Sequence, residues 1–142
     1  MNLPPPLTGI LEAALYVKDL ERSKRFYSET LRLAILGEQP GRHLFYQVGA
    51  NTVLLLFIAE ATRQGGAIAP HGTDGEGHVA FNIGSADAWE TWRDHLQQQG
   101  VPIEQEIVWG NGSVSLYFRD PDNNSLELTT TATWPFQSDT NR

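Results

Sequence analysis

Glu12, His78 and Glu127 are side chains of metal-ligating type, one near each end of the chain and one in its middle. An imidazole with two carboxylates makes a donor set of intermediate hardness that suits Mn²⁺, Zn²⁺, Ni²⁺ or Fe²⁺. Three protein donors also leave positions on such an ion open to water or substrate, which a catalytic centre requires and a closed structural site does not. Residues so far apart in sequence can share an ion only if the elements carrying them turn them toward one surface.

Turn residues divide the chain into those elements. Pro4, Pro5 and Pro6 cannot donate to a sheet ladder, so residues 1–9 read as an N-terminal extension. The apolar run from Ile10 to Val17 predicts a strand, and Asp19 offers an N-cap to a helix whose apolar positions are Leu20, Phe26, Tyr27 and Leu31. Three short strands are expected next, over 33–38, 43–48 and 52–58, with turns at Gln39-Pro40-Gly41-Arg42 and Gly49-Ala50-Asn51. Residues 60–76, rich in Gly, Ala, Thr and Pro, predict a flexible linker. The order then recurs. A strand over 78–83 precedes a helix capped by Ser85, with Trp89, Trp92 and Leu96 on its core face and Gly100 at its end, and strands follow over 103–109, 113–119 and 125–130. Two βαβββ modules, 10–59 and 77–130, are therefore expected within one domain spanning 10–130, with a polar tail over 131–142. The fold class that follows is α+β, a curved mixed sheet cup with the helices outside.

Side chains alternate between the two faces of a strand, so parity sorts them. Val114, Leu116 and Phe118 form an apolar set, which leaves Ser115, Tyr117 and Arg119 on the other face. Leu126 and Leu128 likewise oppose Glu127, Val79 and Phe81 oppose His78, and Leu15 and Val17 oppose Glu12 and Tyr16. The face away from the helices thus collects Glu12, His78, Tyr117 and Glu127. Glu12 and His78 hold equivalent places in the opening strands of the two modules, and the module-one counterpart of Glu127 is Leu54 or Leu55. A pseudo-twofold would gather these four places at its axis. On the same face, Tyr16, Ser115 and Arg119 are candidates to bind substrate, and Trp109 beside Gly110-Asn111-Gly112 is a candidate to cap the pocket.

Composition narrows the function classes. With 142 residues the chain is too short for a nucleotide fold plus a separate substrate domain. Ten Lys and Arg against seventeen Asp and Glu give a net charge of −7 without a basic cluster, which argues against nucleic acid or an anionic membrane as partner. The longest apolar run, 53–59, is far short of the roughly 20 residues of a spanning helix. No cysteine is present, so thiol nucleophiles, thiolate metal sites and disulfides are excluded. A soluble, cytoplasmic protein is expected.

Three segments carry a family resemblance: Leu15-Tyr16-Val17-Lys18-Asp19-Leu20 with Phe26-Tyr27, then Gly77-His78-Val79-Ala80-Phe81, then Phe118-Arg119-Asp120-Pro121-Asp122-Asn123-Asn124-Ser125-Leu126-Glu127-Leu128. They resemble the vicinal oxygen chelate superfamily, which includes glyoxalase I, fosfomycin-resistance proteins, extradiol dioxygenases and bleomycin-binding proteins. The resemblance implies one divalent metal ion held by Glu12, His78 and Glu127, with a small substrate presenting two adjacent oxygens. It implies lyase, isomerase or epoxide-opening chemistry, with Glu12, Glu127 or Tyr117 moving the proton. It also implies a homodimer, in which sites are built within one chain or shared between two. The chain departs from the glyoxalase I pattern where that pattern has a fourth, carboxylate ligand and this chain has leucine, and from the extradiol pattern in having Glu12 for the first histidine. A different function class, a metal-free protein that sequesters a cationic drug like the bleomycin-binding branch, matches the negative charge.

The remaining candidates have plainer readings. His43, His71 and His95 read as surface residues, and Trp89 and Trp92 as core. Asp120-Pro121-Asp122-Asn123-Asn124 lacks the glycine and distant glutamate of a calcium loop and reads as a hairpin turn.

Overall fold

The computed structural model describes residues 4–5, 10–64, 67–68, 70–73 and 76–135. Most of the extension, parts of the linker and the tail beyond Pro135 therefore lie outside the described residues.

The first module runs β1 (Glu12–Tyr16), α1 (Leu20–Arg25) continuing as a π-helical turn (Phe26–Thr30), β2 (Ala34–Gln39), β3 (His43–Val48) and β4 (Thr52–Phe57). A short helix α2 (Ala59–Thr62) follows where only flexible chain was expected, with the Thr62 hydroxyl and amide reaching back to Ala59 and Ile58. The second module runs β5 (His78–Asn82), a 3₁₀ turn (Ala86–Ala88), α3 (Trp89–Gln98), β6 (Ile103–Val108), β7 (Val114–Arg119) and β8 (Ser125–Thr129), closed by a 3₁₀ turn (Thr131–Thr133). Asp19 caps α1 by accepting from the Arg22 amide, Ser85 caps the second helical segment through the Asp87 amide, and Gly100 ends α3 at φ +73°.

The α+β expectation of two βαβββ modules holds. Each module is a four-stranded mixed sheet, ordered β1-β4-β3-β2 and β5-β8-β7-β6, with one parallel pair and two antiparallel pairs. The registers fix the equivalences that parity left open. Ala14 faces Leu55 as Ala80 faces Glu127, so Leu55, not Leu54, is the counterpart of Glu127.

Among the described residues no ladder joins the two sheets. They share one apolar core instead, in which Leu15, Leu44, Leu54 and Leu56 of the first sheet meet Leu116, Phe118, Leu126 and Leu128 of the second, with Tyr27 and Leu31 near the end of α1 and Leu96 of α3. Fully burying one such leucine is worth roughly 1.5–3 kcal/mol, so this shared core is what holds the modules together. Trp89 and Trp92 pack against it as expected. The faces turned away from the core are those carrying the candidate ligands. β1 and β5 are edge strands, and their outward side chains Glu12, Ala14, His78, Ala80 and Asn82 are exposed.

Candidate metal and substrate site

On the second sheet, His78 opens β5 and Glu127 sits mid-strand in β8, in neighbouring parallel strands. The His78 Nδ1–H donates to the Ser125 carbonyl at 2.9 Å, and only a protonated Nδ1 can do so. In the neutral ring the lone pair is then on Nε2, which stands 3.5 Å from Glu127 Oε1. Holding one ring N–H on a backbone carbonyl, so that the lone pair of the other nitrogen is presented outward, is the arrangement found in metal-binding histidines.

Glu127 is nearly buried, at 7% exposure, yet it is not isolated. The Ser115 hydroxyl donates to its Oε2 at 2.7 Å, and the Trp109 indole N–H donates to Ser115 Oγ at 2.9 Å. Ser115 also meets the Thr129 hydroxyl at 3.1 Å. This chain leaves Oε1 free to face His78. Tyr117 stands beside Glu127, its direct neighbour across the β7–β8 ladder. Partial burial, and after it the Glu127 carboxylate, raises the phenol above its ordinary pKa, so at neutral pH Tyr117 is a proton donor and not a base. Arg119, a candidate to contact substrate, is held by Glu104 in a two-bond pairing at 2.6 and 3.0 Å, and also reaches Glu76 and the Asn123 carbonyl.

Glu12 is elsewhere. It lines a cavity of about 720 Å³ over the outer face of the first sheet, whose walls include no residue of β5–β8. Among the described residues no three His, Asp or Glu side chains gather closely enough to hold an ion. One chain therefore joins His78 to Glu127 and keeps Glu12 apart.

The cavity over the first sheet contains residues that sequence reasoning passed over. Tyr16 Oη hydrogen-bonds His71 Nδ1, and His71 packs edge-on against Phe57 with ring centroids 4.7 Å apart. His43 stacks flat on Phe45 at 4.0 Å, and the Arg42 guanidinium sits 5.7 Å over Phe57 while donating to His43 Nδ1 at 2.7 Å. Neither His43 nor His71 is a plain surface residue, because aromatic neighbours half-bury both. His95 is also half-buried, its Nε2–H donating at 2.7 Å to the Thr30 carbonyl that the π turn leaves unpaired. A usable signal existed: Val53 to Phe57 is apolar at every position, the pattern of a strand covered on both faces.

Duplicated βαβββ modules, with a shared apolar core and an imidazole–carboxylate pair on the outward face of the second sheet, define a class of two-module α+β proteins. The model of the Glyoxalase/Bleomycin resistance protein/Dioxygenase superfamily matches residues 9–128, and the chain belongs to that superfamily. It is similar to the crystal structure of a lactoylglutathione lyase from Agrobacterium tumefaciens, at 33% identity over 93% of this chain and 100% of that one, with a TM-score of 0.87. It is also similar to an integron cassette protein from the mobile metagenome of a Halifax Harbour sewage outfall, at 26% identity, 87% and 99% coverage and a TM-score of 0.70. A glyoxalase-related enzyme from Fulvimarina pelagi shares the fold at 24% identity, with 94% and 95% coverage and a TM-score of 0.70. No helix among the described residues is long and apolar enough to cross a membrane.

Proposed function

We propose that this protein is a divalent-metal-dependent enzyme acting on a small molecule with two adjacent oxygens, by lyase, isomerase or epoxide-opening chemistry. The observation that carries the reading is the His78–Glu127 pair, with Nε2 exposed as a lone-pair donor by the Ser125 carbonyl and Oε1 left open by Ser115. One imidazole nitrogen and one carboxylate oxygen 3.5 Å apart fit a shared Mn²⁺, Zn²⁺, Ni²⁺ or Fe²⁺, and Glu12 supplies the third donor. Because Glu12 lies on the other sheet, the complete set forms between two copies, Glu12 from one and His78 with Glu127 from the other. A homodimer is therefore part of the proposal.

Bound there, the ion would supply Lewis-acid stabilisation of negative charge developing on substrate oxygen, worth several kcal/mol. The chain's own residues do the rest. Ser115 and Trp109 hold Glu127 in place, Tyr117 Oη holds a proton that it can give to a developing oxyanion, and Glu12 or Glu127 is the base within reach of a substrate C–H. The similarity to the lactoylglutathione lyase of A. tumefaciens supports a reaction of that class, but Leu55 takes a place where the glyoxalase I pattern has a carboxylate, so the substrate proposed here is not tied to glutathione.

Elemental analysis of protein purified without chelator tests this. About one ion per chain is expected in the native protein, and none in Glu12→Ala, His78→Ala or Glu127→Ala variants that remain folded by circular dichroism. The net charge of −7 and the aromatic-walled cavity favour a second reading, a metal-free small-molecule-binding protein of the bleomycin-resistance kind. Failure of the native protein to retain Mn²⁺, Zn²⁺, Ni²⁺ or Fe²⁺ under saturating loading would decide for it.

A further inference from the structure

The cavity over the first sheet is ordered from end to end. Strand registers place Glu12 beside Val53 at one end, Ala14 beside Leu55 and Phe45 in the middle, and Tyr16 beside Phe57 and His43 at the other end. From the Glu12 row to the Tyr16 row the distance is about 13 Å at about 3.3 Å per strand residue. Only apolar groups occupy the stretch between, and the volume of about 720 Å³ is that of a small-molecule pocket.

Charge at the two ends is opposite. At the far end stands Arg42, half-buried, one N–H committed to His43 and the guanidinium lying over Phe57. Among the described residues it has no carboxylate partner, although acidic residues outnumber basic ones in this chain. A half-buried guanidinium whose remaining N–H groups meet no carboxylate among the described residues is a site for a ligand's carboxylate, which it binds in a fixed fork geometry.

We infer that the substrate is an elongated apolar monocarboxylic acid. Its carboxylate is held by Arg42, its apolar body lies over Leu55, Phe45 and Phe57, and its reacting oxygens reach the Glu12 end about 10–13 Å away. The placement of the reacting end rests on the function proposed above, whereas the Arg42 end does not. Tyr16 and His71, hydrogen-bonded to each other, form the wall beside Phe57 and limit the width of the acid at its carboxylate end.

The test uses the full-length chain in EDTA, so that metal plays no part, with 6-phenylhexanoate and 6-phenylhexan-1-ol as probes and isothermal titration calorimetry as readout. The acid should bind at least tenfold more tightly than the alcohol. In Arg42→Gln that preference should vanish through weaker acid binding, with the alcohol unchanged. Phe45→Ala should weaken both probes while keeping the preference. Equal binding of acid and alcohol, no binding of either, or a preference that survives in Arg42→Gln would overturn the inference. Loss of metal binding with the acid preference intact would instead refute the enzyme reading alone.

Discussion

Ser115 is fully buried and has no reactive role of its own, yet it sets where Glu127 points. Ser115→Ala removes the donor to Glu127 Oε2 and strips the Trp109 indole of its acceptor. Outer-shell hydrogen bonds of this kind are worth about 10–100-fold in metal affinity, so titration of the variant with Mn²⁺ or Zn²⁺ should show a loss in that range. Stability in urea should fall by about 1–3 kcal/mol, since buried polar groups lose their partners. Leu55 gives the converse case. It occupies the place equivalent to Glu127, so Leu55→Glu should add a carboxylate to the proposed centre and tighten metal binding in the same titration.

At the scale of elements, the Asp120–Asn124 turn does more than join two strands. Asp120 accepts from the amides of Asp122 and Asn124, from the Asn124 side chain and from the Tyr27 hydroxyl at 2.9 Å. Asp122 takes the Lys18 amide and the Arg22 guanidinium, both at 2.9 Å. The turn therefore latches β7–β8 of one module to the β1–α1 corner of the other. Hydrogen bonds to a charged acceptor are worth about 1.5–3 kcal/mol each, so Asp120→Ala should cost about 3 kcal/mol or more in denaturant unfolding. The Tyr27 phenol is held well above its ordinary pKa, first by burial and then by the Asp120 charge. The unfolded chain loses that proton near pH 10 while the folded chain keeps it, so the contribution is whole below pH 10 and declines as pH rises toward the folded value. Unfolding curves above pH 10 should show the decline, and Tyr27→Phe should lessen it.

At the scale of the molecule, the separation of Glu12 from His78 and Glu127 makes the proposed centre a property of two copies. A closed twofold assembly brings each first sheet against the partner's second sheet, so the contact, and with it the site, occurs twice. Mixed dimers of Glu12→Ala with His78→Ala chains would then contain one site with both defects and one with neither. Metal analysis should recover about half the native ion content in the mixed dimer and none in either parent. Recovery of none in the mixture would show that each site is built within a single chain.

Strand parity was legible from local sequence because side-chain alternation has a period of two, whatever lies around the strand. It assigned Glu12, His78, Tyr117 and Glu127 to outward faces, and the duplicated order of turns revealed the two modules. The Val53–Phe57 run was legible as doubly covered, but its outer cover, His71 from the linker, was not, because composition says only that a Gly-rich segment need not form regular structure. The role of the Asp120–Asn124 turn was also hidden, since its partners lie about a hundred residues away.

What the sequence determined by itself was which side chains share a face, a matter of backbone geometry over a few residues. Which faces meet was decided by tertiary structure. The two apolar faces are driven together by burial of their leucines and aromatics, and this turns the ligand-bearing faces outward on separate sheets.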